Sequence, residues 1–140
     1  MRRPLETAWR WLAEATHSLG VTRLLFDNNL WSDVCFKSEQ TSQLALKAYL
    51  YGTGKRSIYI HSIGDLLSEC GNEDEDFNSL RDRGVTLDKY YLSSRYPDAL
   101  PPPAIPFESF TVDEARQAID IATEIVAMVR ARIGEEGPKN

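Results

Sequence analysis

The chain has 140 residues, 42% of them hydrophobic and 26% charged, the balance of one globular domain with enough length to bury a real core. Its net charge of -5 argues against nucleic-acid binding driven by backbone charge alone. Residues 1–70 carry 8 basic and 7 acidic side chains and residues 71–140 carry 8 and 14, so an anion-binding surface is expected in the first half or at a local cluster such as Lys55-Arg56.

The first predicted element runs from about Pro4 to Asn29. Proline suits the first turn of a helix, where its missing N–H costs nothing. Leu5, Ala8, Leu12, Ala15 and Leu19 recur at spacings of three and four, and Trp9 widens the stripe. Gly20 is the one expected point of bending, and Asp27-Asn28-Asn29 reads as a turn. A second helix is predicted over Trp31 to Tyr51, with Asn29 or Ser32 as a candidate cap. Both its ends are apolar, whereas Lys37 to Gln43 is polar throughout. Phe36, Gln40, Gln43 and Lys47 fall on one helical stripe. Gly52-Thr53-Gly54 ends it.

His61 opens a short third helix, about Ser62 to Glu69, closed by Gly71. The run Asn72 to Asp76 is acidic and reads as solvated, or as the acidic start of a short helix. A fourth helix covers about Val85 to Ser94. It must stop near Tyr96, because Pro97 disfavours helical geometry in the residue before it. Pro97 to Pro106 holds five of the seven prolines and is a loop. Thr111-Val112-Asp113-Glu114 has the form of a capping box and starts the last helix, about Thr111 to Ile133. That helix carries two adjacent apolar stripes, so it is either central in a bundle or also faces a partner subunit. Ser57 to Ile60 is the one candidate strand, and no internal repeat is visible.

Cys35 and Cys70 make no disulfide framework and no metal-ligand spacing, and both read as buried small hydrophobes. Neither a metal nor a cofactor is expected. Met1-Arg2-Arg3-Pro4 is followed by no apolar run, and no window is long and apolar enough to span a bilayer, so a cytoplasmic location is expected.

Four pieces of this pattern resemble the HEPN domain family (higher eukaryotes and prokaryotes nucleotide-binding). They are Trp9 to Ala15; Phe36 to Ala48, with Gln40, Lys47 and Ala48 in place; His61-Ser62-Ile63-Gly64-Asp65-Leu66-Leu67; and Leu87-Asp88 to Arg95-Tyr96-Pro97-Asp98, the most specific. With the apolar last helix the likeness covers roughly residues 5–130. One position departs from it: Gln43 stands where the family often has Glu. The resemblance implies a single domain over residues 1–140, all-α, an up-and-down bundle of four to five helices, commonly dimeric. It also implies association with nucleotides or RNA, often beside a small nucleotidyltransferase in a toxin-antitoxin-type pair.

The expected nucleotide-binding residues are Lys47, His61, Arg95 and Tyr96. A cation, an imidazole and an aromatic face together suit a phosphate and a base. Two alternatives stand beside this binding module. One is a metal-independent RNase toxin, whose Arg-then-His motif Arg10 to His17 and Arg56 to His61 both fit by spacing, with His61 acting beside Arg56 or Arg95. The other is a structural dimerisation domain, in which Lys47 is a solvated helix face and Arg95 pairs with Asp98. No catalytic residue is assigned.

Overall fold

The computed structural model describes residues 3–134, and every described regular element is helical. Six α-helices follow in order: α1 Pro4–Asp27, α2 Trp31–Gly52, α3 Ile63–Glu73, α4 Arg81–Asp88, α5 Tyr90–Ser93 and α6 Val112–Ile133. Single 3-10 segments cover Glu75–Leu80, Pro97–Ala99 and Pro106–Glu108. The candidate strand at Ser57 to Ile60 is irregular loop.

α1 and α2 form an antiparallel hairpin. Asn29 turns the chain between them at φ 63°, a left-handed conformation that asparagine tolerates. Neither Asn29 nor Ser32 caps α2; its N-cap position is Leu30, with no side-chain bond. The register is fixed along the whole length of the pair. Phe26 meets Trp31 near the turn, Ser18 shares a 2.6 Å hydrogen bond with Thr41 at the middle, and Trp11 meets Tyr51 at the far end. Gly20 lies inside an unbroken α1.

α6 runs antiparallel to α1, with Arg116 over the Phe26 ring and Arg130 bonded to Thr16. The capping box is present: Thr111 Oγ1 accepts from the Glu114 backbone N–H, and Glu114 accepts from the Thr111 backbone N–H. Such a cap contributes about 1 kcal/mol. Most of both apolar stripes of α6 is used within the chain, with Ile119, Met128 and Ile133 half-buried and Val112 exposed at the start of the helix. Ala115, Ala118, Ile121, Ala122, Ile125, Val126 and Val129 are all buried in the common core. The doubled stripe is therefore accounted for mainly by packing within the chain.

The central helix is α2, not α6. It packs against α1, α3, α4, α5 and α6. Its polar middle is inside: Ser38, Glu39, Thr41, Ser42 and Gln43 are all buried. Burial of such groups is tolerable when they are hydrogen-bonded. Ser42 bonds back to the Ser38 carbonyl, Thr41 bonds Ser18, and Glu39 accepts from two carboxamides. Ser38 Oγ has no such partner among the described residues.

α3 and α4 form a second, shorter hairpin against α2. Gly84 permits their close approach, since a Cβ there would lie 2.3 Å from Cδ1 of the buried Leu67. The fourth predicted helix is broken at Lys89 into α4 and α5. Two clusters tie α6 to this hairpin: Arg83 to Glu124, and Arg132 to Asp74 and Asp76 at 2.5 and 2.7 Å.

Candidate functional site

The α2–α3 loop and the α4–α5 break come together at one end of α2. The tie is Asp88. Its Oδ1 accepts from the Ile63 N–H at 2.6 Å, and its Oδ2 from the Gly64 N–H at 3.1 Å and the Ser62 hydroxyl at 3.0 Å. Ser62 Oγ in turn accepts from the Asp65 N–H. The first turn of α3 thus finds acceptors for N–H groups that its own helix leaves unpaired, and a carboxylate there also suits the helix dipole. His61 sits one residue before the Ser62 cap, so Asp88 fixes where His61 lies relative to α5.

Two clefts open on either side of His61 and Tyr91. The first, about 250 Å³, is lined by Trp11, Gln40, Gln43, Leu44, Lys47, His61 and Tyr91. The second, about 240 Å³, is lined by Glu39, His61, Ser62, Asp88 and Tyr91. Glu39, Gln43 and Lys47 lie at i, i+4 and i+8 on α2, one face of the helix.

Lys47 is 7% exposed, and its Nζ lies 3.3 Å from His61 Nδ1. Among the described residues it forms no ion pair with a carboxylate. Burial pushes its pKa below the ordinary lysine value, and the charge of Glu39 opposes that shift. The same Nδ1 lies 3.4 Å from Gln43 Oε1. A ring nitrogen accepts or donates but does not do both, so these two contacts are alternatives. With Lys47 donating, the ring proton is on Nε2; with Nδ1 protonated, it points at Gln43.

Glu39 is 1% exposed. Its Oε1 accepts from Gln40 Nε2 at 2.7 Å and its Oε2 from Gln43 Nε2 at 2.6 Å. No cation pairs with it among the described residues. Burial raises its pKa above the ordinary carboxylate value; the Gln43 and Gln40 bonds pull it back, Asp88 raises it further and Arg95 lowers it.

The four residues picked out from the sequence form two adjoining pairs. Lys47 and His61 touch at the first cleft. Arg95 and Tyr96 touch each other and line neither cleft. The Arg95 guanidinium is stacked among Phe36, Tyr91 and Tyr96, at 4.4, 4.8 and 4.8 Å from the ring centres. Its Nε and Nη2 both donate to the Tyr91 carbonyl, at 2.9 and 2.8 Å, and Nη1 reaches the Tyr96 hydroxyl at 3.5 Å. This closes the end of α5 and holds Tyr91, which links the two pairs. Arg95 forms no ion pair with Asp98 among the described residues. His61 has hydrogen-bond contacts to Lys47 and Gln43 and none to Arg95.

Sequence reasoning missed Glu39, Tyr91, Trp11 and the capping role of Asp88. Tyr91 and Asp88 lie inside the segment quoted for the resemblance, and Glu39 is one turn before Gln43. Tyr90, next to Tyr91, faces the core instead. Its ring is buried against Phe110, and its hydroxyl has no hydrogen-bond partner among the described residues. Cys35 and Cys70 are buried, and burial pushes both thiols up to about 12, so neither is a nucleophile. Among the described residues no group of acidic, histidine and cysteine side chains is placed to hold a metal, and no helix is long and apolar enough to cross a membrane.

Comparison with known proteins gives a consistent picture. The HEPN domain model matches residues 8–132. The crystal structure of TT1696 from Thermus thermophilus superposes with a TM-score of 0.83 at 31% identity, covering 91% of this chain and 98% of that one. ST0689, described as an archaeal HEPN homologue, gives a TM-score of 0.70 at 30% identity, covering 96% of this chain and 100% of its own. Human sacsin is 30% identical over 130 residues, which is 88% of this chain and 3% of sacsin.

Proposed function

The chain belongs to the HEPN domain family, and from that premise we propose that it is a nucleotide- or RNA-associated binding module that holds a ligand phosphate at Lys47. The observation that carries this reading is the state of Lys47. It is a nearly buried cation without an acidic partner among the described residues, at the wall of a cleft lined by Trp11 and Tyr91. Removing a charge from water is costly unless an opposite charge compensates it. A phosphate entering the cleft supplies that charge, and the aromatic walls suit a base. His61 stands beside the ammonium and adds a second donor when its free nitrogen carries the proton. Arg95 and Tyr96 act by holding Tyr91 in place.

In the fuller form of this reading the chain is a homodimer and the partner of a small nucleotidyltransferase in a toxin-antitoxin-type pair. That part rests on the family resemblance, because most of the apolar surface of α6 is covered within the chain. Sedimentation at micromolar concentration tests the dimer, and co-purification with a small nucleotidyltransferase, together with a search for one encoded beside the gene, tests the partner.

Calorimetric titration with ATP tests the site itself. Wild type should bind, and Lys47→Ala should lose about tenfold or more in affinity, the scale of a charge-assisted hydrogen bond. Equal binding by the two proteins refutes the assignment. RNA cleavage by wild type that disappears in His61→Ala would replace binding with catalysis as the role of the same cleft.

A further inference from the structure

We propose that the second cleft is the donor-reading half of the ligand site, taking the N–H or O–H groups of the nucleoside part of a nucleotide, with Glu39 as the residue that reads them. This rests on the reading of Lys47 as the phosphate anchor and deepens it. The two clefts share the walls His61 and Tyr91, so one ligand can occupy both. Glu39 and Lys47 are eight residues apart on one helix, a rise of about 12 Å, which is the span of a small two-part ligand rather than of a lone anion.

The hydrogen-bond inventory of the second cleft decides its chemistry. Asp88 is engaged by three donors from Ser62, Ile63 and Gly64. The Ser62 hydroxyl gives its proton to the bond with Asp88. Each Glu39 oxygen accepts one carboxamide N–H, which leaves a further lone pair on each oxygen. Glu39, Ser62 and Asp88 thus offer acceptors and no spare donor, and the donors of this cleft are confined to His61 and Tyr91, the walls it shares with the first. With two carboxylates, Glu39 and Asp88, that unshared part of the lining repels a phosphate and welcomes a donor. The first cleft differs in holding the ammonium of Lys47 and no carboxylate at its wall. A molecule with an anionic end and a donor-bearing neutral end matches the pair. No cation forms an ion pair with Glu39 among the described residues, so its ionised carboxylate gains from each donor that arrives.

Two parts of a nucleoside carry suitable donors, the ribose diol and the exocyclic amine of the base. The experiment separates them. Wild type, Glu39→Gln and Glu39→Asp are titrated with ATP and with inorganic triphosphate, which lacks the nucleoside. Wild type should bind ATP more tightly than triphosphate. Both variants should lose about tenfold in ATP affinity while keeping their affinity for triphosphate, or gaining some in Glu39→Gln as a negative charge leaves. The wild-type preference should vanish with 2′,3′-dideoxy-ATP if the diol is read, and with purine riboside triphosphate if the amine is read. ATP and triphosphate binding alike to wild type overturns the second cleft as a subsite and leaves Lys47 as the anchor. Equal loss, or equal gain, of both ligands in the variants also overturns it. Wild type binding neither ligand overturns this inference and the phosphate-anchor reading together.

Discussion

Removing the Asp88 carboxylate tests how the site is built. In Asp88→Ala the first turn of α3 loses three bonds: those from Ile63 N–H, Gly64 N–H and the Ser62 hydroxyl. A hydrogen bond to a charged group contributes about 1.5–3 kcal/mol and a helix cap about 1 kcal/mol. The three bonds share one half-buried carboxylate and are not additive, so the expected total is about 2–4 kcal/mol. For a domain of this size that is a fall in Tm of about 6–15 °C. Thermal denaturation by circular dichroism measures it. Hydrogen exchange gives the local readout, because the Ile63 and Gly64 amides should lose protection beyond the global change. ATP affinity should fall as well, since His61 is no longer held against Tyr91. Asp88→Asn should fall between, keeping one acceptor and turning an amide toward the remaining donors. A Tm within about 2 °C of wild type in Asp88→Ala, with Ile63 and Gly64 still protected, would refute the capping role.

Lys47→Met should raise stability by about 1 kcal/mol in urea denaturation while reducing ATP affinity, because it removes a buried unpaired charge that the ligand needs. Arg95→Lys keeps the charge but loses the fork on the Tyr91 carbonyl and the stacking on three rings; it should cost about 1–2 kcal/mol of stability, and an unchanged Tm would show the cage to be idle. Glu39 provides a pH prediction. A carboxyl whose folded pKa lies above its unfolded value binds its proton more tightly in the folded chain. Its contribution is therefore largest at low pH and is lost as pH rises from the ordinary carboxylate range through the raised value. Glu39→Gln should remove that decline, so its stability relative to wild type should increase across this window, and parallel pH profiles for the two proteins would contradict the burial effect.

Much of the architecture is legible in the sequence because helices advertise themselves by period. The predicted bounds of α1, α2 and α6 agree with the structure to within a few residues, and the capping box at Thr111 and Glu114 is formed as its spacing implies. The place of α2 is not legible. Its polar middle looks solvated, but Ser42 and Glu39 meet their partners on the same helix and Thr41 meets Ser18, so polarity does not mean exposure. The alternative of Lys47 as a solvated face fails for the same reason. The break at Lys89 has no proline or glycine to announce it. The pairing of Lys47 with His61 follows from helix order, because the end of α2 must lie near the start of α3. Asp88 has no local signal at all. Its partners are 24 to 26 residues away, and only the packing of α3 on α4 brings them together. Arg95 and Tyr96 carry the strongest sequence signal yet line neither cleft, since their contacts hold the end of α5.

The central claim is that one end of α2, around Lys47, is where a nucleotide binds. Titration of the ¹⁵N-labelled chain with ATP, followed by ¹H–¹⁵N correlation spectra, tests it most directly. The claim predicts that the Trp11 indole, the Gln40 and Gln43 side-chain amides and the backbone from His61 to Gly64 shift together and saturate. Signals around Arg83, Arg116 and Glu124 on the α4–α6 side should stay still. Shifts centred on that other side, or none at millimolar ATP, would contradict the claim.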